Sequence, residues 1–163
     1  TAGLHFTVPL LDTLAARGVR LVRLVLHVGL GTFRRVEAEA PEQHVMHAEQ
    51  YTVSDEAAAT LNETRARGGR VWAVGTTVTR TLETVADEQG VVHAGAGWTR
   101  VFIRPPYRFR AVDRLLTNFH LPRSTLLMLV AAFGGYELIM RAYREAIERR
   151  YRFYSYGDAM VMI

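Results

Sequence analysis

Helices and strands alternate along this chain, and glycine closes most of the helices. That punctuation limits the fold more than any other feature. Thr7 to Arg17 reads as a helix, with Thr7 as N-cap, Pro9 in the first turn and Gly18 just past the end. Val19 to Val28 reads as a buried strand, rich in Val and Leu and broken by Gly29-Leu30-Gly31. His47 to Val53 reads as another strand. Ser54 caps a helix running to Arg67, which Gly68-Gly69 stop, and Glu63 and Arg67 form an i,i+4 pair on its exposed face. Arg70 to Val74, the turn Gly75-Thr76-Thr77 and a helix to about Gln89 make a strand–turn–helix unit of the kind that builds parallel sheets.

The second half continues the pattern. Trp98 to Ile103 and Val112 to Leu116 read as strands joined through Pro105-Pro106. Ser124 caps an apolar helix that ends at Gly134-Gly135. In the next helix, Tyr136 to Arg150, the residues Tyr136, Met140, Tyr143 and Ile147 share one face, with Glu137–Arg141 and Glu145–Arg149 pairs opposite. Phe153 to Ile163 reads as a terminal strand. The expected architecture is a single α/β domain over residues 1–163, with a mostly parallel sheet flanked by helices in three layers. Such sheets bind ligands beyond the carboxyl ends of their strands, so the turns that follow strands should carry the chemistry.

Composition narrows the function classes. The 163 residues are 49% hydrophobic and 22% charged, as in a soluble globular domain, and the apolar run Leu126 to Phe133 is too short for a membrane span. There is no cysteine, which excludes disulfides, thiolate zinc sites and a Cys nucleophile and fits a cytoplasmic setting. The net charge of +4 admits a nucleic-acid partner, although all 20 basic residues are Arg, a bias that a GC-rich genome would also produce. No P-loop, nucleophile elbow or signal peptide is present. The chain begins at Thr1 rather than Met, inside an apparent loop, as a fragment or processed product would.

Four clusters stand on turns after strands or close to the C-terminus. His27-Val28-Gly29-Leu30-Gly31-Thr32-Phe33 offers free backbone N–H groups to an anion, or is simply a tight turn, since Arg34 replaces the third glycine of a dinucleotide fingerprint. Val74 to Glu83 places Thr76, Thr77 and Arg80 in the first turns of a helix. That suits a carboxylate, or else ordinary Thr capping with Arg80 and Glu83 as a solvated i,i+3 pair. Thr117-Asn118-Phe119-His120-Leu121-Pro122 combines donors, acceptors and a ring able to stack on a base, or is a turn with local bonds. Tyr154 to Met160 gathers aromatic groups and Asp158, where Asp after Gly is commonly turn chemistry. His5 precedes a helix start, where a ligand can be met. His93 reads as a surface loop residue. His44 and His47 would point to opposite faces of a strand, so no metal site is expected.

Taken in order, Thr1-Ala2-Gly3-Leu4-His5-Phe6-Thr7, His27 to Phe33, Val74-Gly75-Thr76-Thr77, Arg80-Thr81-Leu82-Glu83, Thr117 to Pro122 and Tyr156-Gly157-Asp158-Ala159-Met160 resemble the signature stretches of the S-adenosylmethionine:tRNA ribosyltransferase-isomerase family. The resemblance runs through the whole chain and corresponds to the C-terminal half of that enzyme. It departs where Arg35 stands for a usual Pro and Val78-Thr79 for Ser-Val. The resemblance implies transfer and isomerisation of the ribosyl part of S-adenosylmethionine onto 7-aminomethyl-7-deazaguanine at the tRNA wobble position. Epoxyqueuosine-tRNA forms, and adenine and methionine leave. It implies S-adenosylmethionine as co-substrate, no metal, tRNA and the N-terminal half as partners, no membrane, and a β-barrel domain that lies outside this chain.

That chemistry removes a proton beside a sulfonium and expels adenine, so it needs a base and a proton donor. His27 and His120 are the first candidates and His5 the third, with Glu83 or Asp158 to orient a His or to face the cation. Phe33 and Phe119 are candidates to stack adenine or to attract the sulfonium cation. Gly29, Gly31, Gly75, Thr76 and Thr77 would hold the methionine carboxylate, with Thr32, Arg80 and Asn118 completing the co-substrate-facing set. Arg34, Arg104 and Arg108 are candidates for the tRNA backbone. Two alternatives remain: a non-catalytic tRNA- or nucleotide-binding module of the same family, and a plain S-adenosylmethionine methyltransferase. The latter is disfavoured because no complete glycine-rich first turn is present.

Overall fold

The computed structural model describes residues 1–29 and 44–163. A 3-10 turn, Ala2–His5, opens the chain. It is followed by α1 (Val8–Ala16), β1 (Val25–His27), β2 (Glu49–Val53), α2 (Asp55–Ala66), β3 (Trp72–Val74), α3 (Thr76–Val85), β4 (Gly95–Thr99), β5 (Arg114–Asn118), α4 (Thr125–Gly134), α5 (Tyr136–Glu148) and β6 (Ala159–Met162). The helix starts follow local chemistry. The side chains of Thr7, Ser54 and Ser124 accept from the N–H groups of Leu10, Ala57 and Leu127, three residues on.

The α/β class holds, but its strand directions are mixed rather than mostly parallel. One three-stranded sheet has the order β1-β2-β4 and both its pairs are antiparallel. The other has the order β3-β5-β6, with β3–β5 parallel and β5–β6 antiparallel. The physical reason is connection: β3 reaches β5 through a crossover that includes α3 and returns the chain in the same direction, whereas α4 and α5 turn it back so that β6 runs against β5. Helix α3 packs against β1 and β4 of one sheet and β3 and β5 of the other. One hydrophobic cluster joins Val53, Ala73, Leu82, Ile103, Leu115, Leu129 and Ile139.

Several expected elements shift. The buried strand from Val19 shrinks to Val25–His27, and Val19, Leu21, Val25 and Val28 are exposed. The strand expected at Trp98–Ile103 lies instead at Gly95–Thr99, in register with β2. Helix α3 stops at Val85, because the Asp87 carboxylate takes the N–H groups of Gln89 and Val91 and Ala86 bridges to Val92. On α5 the buried stripe is Ile139, Tyr143 and Ala146, while Tyr136 and Ile147 face solvent. Glu63 pairs with Arg20 rather than Arg67. Among the described residues no single helix is long and apolar enough to cross a membrane.

Two buried charges on α3 tie these parts together. Arg80 donates from Nη1 to the Glu49 carboxylate of β2 and from Nε to the Val101 carbonyl at 3.4 Å. Glu83, with no exposed surface, accepts the N–H groups of Arg110, Ala111 and Val112 at 2.9, 3.0 and 3.2 Å. The Tyr107 hydroxyl donates to it at 3.4 Å, and Arg110 Nη2 donates to its backbone carbonyl at 2.8 Å. A carboxylate this buried is tolerable only because donors surround it. The surface pair Arg80–Glu83 suggested by their spacing is therefore absent: both face the interior, in different directions. Glu83→Gln, which sets an NH2 group against backbone donors, is expected to cost about 3 kcal/mol or more of unfolding free energy in urea titration. Glu63→Gln, in an exposed pair, is expected to cost under about 1 kcal/mol. Equal losses would contradict the anchoring role of Glu83.

Candidate active site at the carboxyl end of the β3–β5 pair

Because β3 and β5 run parallel, Val74 and Asn118 finish at the same end of their sheet. The chain leaves β3 through Gly75, whose φ of +96° suits glycine, and enters α3 at once. No side chain caps α3, so the expected role of Thr76 or Thr77 as N-cap passes to the Gly75 backbone. The first-turn N–H groups of α3 thus meet this end without a competing side chain. Ala2 is buried against Gly75, with its Cβ 3.7 Å from where a Gly75 Cβ would stand.

Asn118 is the junction. Its Nδ2 donates to the carbonyls of Tyr154 at 3.2 Å and Gly157 at 3.1 Å, and lies 3.5 Å from His5 Nε2. The Thr1 hydroxyl reaches Asn118 Oδ1 at 3.5 Å. On the far side, Phe119 N–H donates to the Asp158 carbonyl at 3.2 Å, and Tyr154 N–H donates to the Phe119 carbonyl at 2.8 Å. The Asp158 carboxylate accepts from Arg152 N at 2.7 Å and from Arg152 Nη2 at 3.0 Å. Those bonds hold Asp158 below the usual carboxylate range, with the nearby His5 adding to the effect. Four of the six sequence stretches therefore converge here: Thr1–Thr7, the Gly75 turn, Asn118–His120 and Tyr156–Asp158.

His120 differs from His5. It is buried, its Nε2 lies 3.1 Å from the Thr117 hydroxyl, and its backbone N–H donates to the Tyr143 hydroxyl at 2.8 Å. Burial pushes His120 down to about 4, and pushes Tyr143 up to about 12. His120 is thus held neutral at pH 7, without the imidazolium proton that a general acid would give there. Phe119 is also buried, with ring centroids 5.2 Å from both Tyr143 and Phe153, so packing occupies the ring expected to stack a base. Sequence reasoning missed Thr1, Arg152 and the Tyr143 hydroxyl. The last had a signal, since a Tyr on a buried helix face needs a partner for its oxygen.

The remaining candidates fall elsewhere. His27 is exposed on β1, opposite Gln50 in the other sheet, and Gly29 follows it, also exposed. Arg80 and Glu83 serve the interior contacts described above, although Arg80 Nη2 is buried without a hydrogen-bond partner. Arg108 is exposed, and Arg104 lies half-buried with its guanidinium 6.0 Å from the Phe102 ring centre. Gly31, Thr32, Phe33 and Arg34 lie outside the described residues.

The buried imidazole gives a pH signature. Folding lowers its pKa from about 6.5 to about 4, so between those values the unfolded chain holds more protons. Stability is full above pH 6.5 and falls as pH drops toward 4, by about 3 kcal/mol in all. Urea unfolding of wild type and His120→Gln should therefore diverge in favour of the variant as pH falls through this window. Parallel pH profiles would show that His120 is not the buried neutral group described.

Comparison with known proteins shows the family. A family model described as "Queuosine biosynthesis protein" matches residues 1–162. The chain is 68% identical over 163 residues to an S-adenosylmethionine:tRNA ribosyltransferase-isomerase of Symbiobacterium thermophilum, and 63% identical to one of Moorella thermoacetica. All of this chain is matched but 48% of each relative, so the chain spans about half their length. A crystal structure of S-adenosylmethionine tRNA ribosyltransferase from Thermotoga maritima superposes with a TM-score of 0.83 at 50% identity, covering 100% of this chain and 52% of that one. With this match running from end to end, the chain belongs to the queuosine biosynthesis protein family.

Proposed function

We propose that this chain forms the co-substrate-facing half of an enzyme that transfers and isomerises the ribosyl moiety of S-adenosylmethionine. The acceptor is 7-aminomethyl-7-deazaguanine at the wobble position of a tRNA, the products are epoxyqueuosine-tRNA, adenine and methionine, and the setting is the cytoplasm. One observation carries the reading: four separate stretches meet at the carboxyl end of β3 and β5, where an α/β sheet presents its ligand site.

The roles follow from what each group touches. His5 is exposed and lies beside Asn118 and Asp158, so of the three candidate histidines it is the one best placed to meet a substrate at this junction. His120 acts as a neutral positioning group, while His27 would act from the other sheet. Asp158, ionised and fixed by Arg152, faces the sulfonium charge or steadies His5. The N–H groups at Gly75, Thr76 and Thr77 suit the methionine carboxylate. Arg108 and Arg104 are proposed for the RNA backbone, and no metal is invoked.

The proposal also needs the other half of the enzyme. Helix α1 is apolar yet buries no residue, and Leu4, Val8 and Leu10 are exposed at 67%, 70% and 40%. A surface of this kind belongs against more protein. The half-length match also keeps open the second reading, a tRNA-binding module without activity. One assay separates them. Full-length enzyme carrying this sequence is mixed with S-adenosylmethionine and tRNA bearing the modified base. Release of adenine and methionine is expected. S-adenosylhomocysteine would mean methylation, and retention of tRNA with no adenine would mean a binding module. In the same assay His5→Ala is expected to slow adenine release at least about 100-fold. An unchanged rate would remove His5 from the chemistry while leaving the reaction class intact.

A further inference from the structure

The ring expected to stack a base, Phe119, is committed to a buried cluster with Tyr143, Tyr151 and Phe153. The structure offers another ring at the same place. Tyr156 is 85% exposed and takes part in no ring contact among the described residues. It sits two residues before Asp158, on the segment that Asn118 grips through the carbonyls of Tyr154 and Gly157.

An exposed Tyr on a loose turn would mean little, but this turn is tied at several points. Arg152 N–H and its guanidinium both donate to Asp158, and Asp158 N–H returns to the Arg152 carbonyl at 2.8 Å. Gly157 N–H donates to the Tyr154 carbonyl at 3.1 Å. The path is tight enough that a Cβ on Gly157 would stand 2.6 Å from the Phe153 carbonyl carbon. Tyr154 holds a φ of +74°, which a non-glycine residue adopts only when its surroundings impose it. The fold thus fixes the backbone on both sides of Tyr156 while making no packing use of its ring. An aromatic side chain carried on a fixed backbone has only its own two side-chain torsions to order when it meets a planar partner.

We propose that Tyr156 is a stacking platform for a purine-type base at this site. The inference rests on the reading given under Proposed function, in which two such bases approach: the adenine of S-adenosylmethionine and the 7-deazaguanine of the anticodon. Both are flat bicyclic heterocycles, and stacking requires only a π-face.

The test is equilibrium binding to full-length enzyme, wild type against Tyr156→Ala and Tyr156→Phe. Two probes are titrated separately: S-adenosylmethionine, and an anticodon stem–loop RNA carrying 7-aminomethyl-7-deazaguanine. Tyr156→Ala is expected to weaken one probe by about tenfold to hundredfold, with Tyr156→Phe within about threefold of wild type. Weakened S-adenosylmethionine assigns the ring to adenine, and weakened RNA assigns it to the anticodon base. Unchanged binding of both probes by Tyr156→Ala overturns the proposal. So does an equal loss in Tyr156→Phe, which would place the effect in the hydroxyl. Because binding is read without turnover, an enzyme that bound normally but released no adenine would count against the reaction and not against the platform.

Discussion

The Glu83 carboxylate, closed off from solvent and held by the N–H groups of residues 110–112, is the constraint on which the rest of this fold depends. A buried carboxylate without donors would be several kcal/mol out of place, so the chain entering β5 must present its backbone to α3 along one particular path. Three residues earlier, Arg80 imposes a matching condition toward β2 through Glu49. Helix α3 is therefore pinned to both sheets by charges, while Leu82 between them fills the core.

Fixing α3 in this way also places its first turn. Gly75 lies directly beyond β3 and its N–H donates to the Leu116 carbonyl at 2.7 Å, so the start of the helix is bound to the strand that carries Asn118. Asn118 then collects the last segment of the chain, and the opening residues lie over the same junction. The interior ion pairs and the polar junction at the sheet end are thus two consequences of one arrangement. The residues doing the anchoring need not touch a substrate for the site to depend on them.

Local chemistry was readable in the sequence; pairing and depth were not. Thr7, Ser54 and Ser124 announce helix starts because a cap is satisfied within three residues. The post-strand stretches at Gly75 and Asn118 were recognisable because glycine and loop polar groups have few other uses there. Arg80 and Glu83, by contrast, look like a surface pair, since nothing within one helical turn shows that residues 110–112 need an acceptor. Phe119 looks like a stacking ring because sequence does not say which of several nearby aromatics the core will take. Strand direction is hidden in the sequence for the same reason: antiparallel partners such as Leu115 and Met162 are chosen across the chain, not along it.

Hydrogen–deuterium exchange of the full-length enzyme with and without S-adenosylmethionine tests the central claim, that the ligand site is the carboxyl end of the β3–β5 pair. Slowed exchange is expected over Ala2–His5, Gly75–Thr77, Asn118–His120 and the turn from Arg152 to Asp158. Protection confined to β1, β2 and β4, with those four segments unchanged, would contradict it.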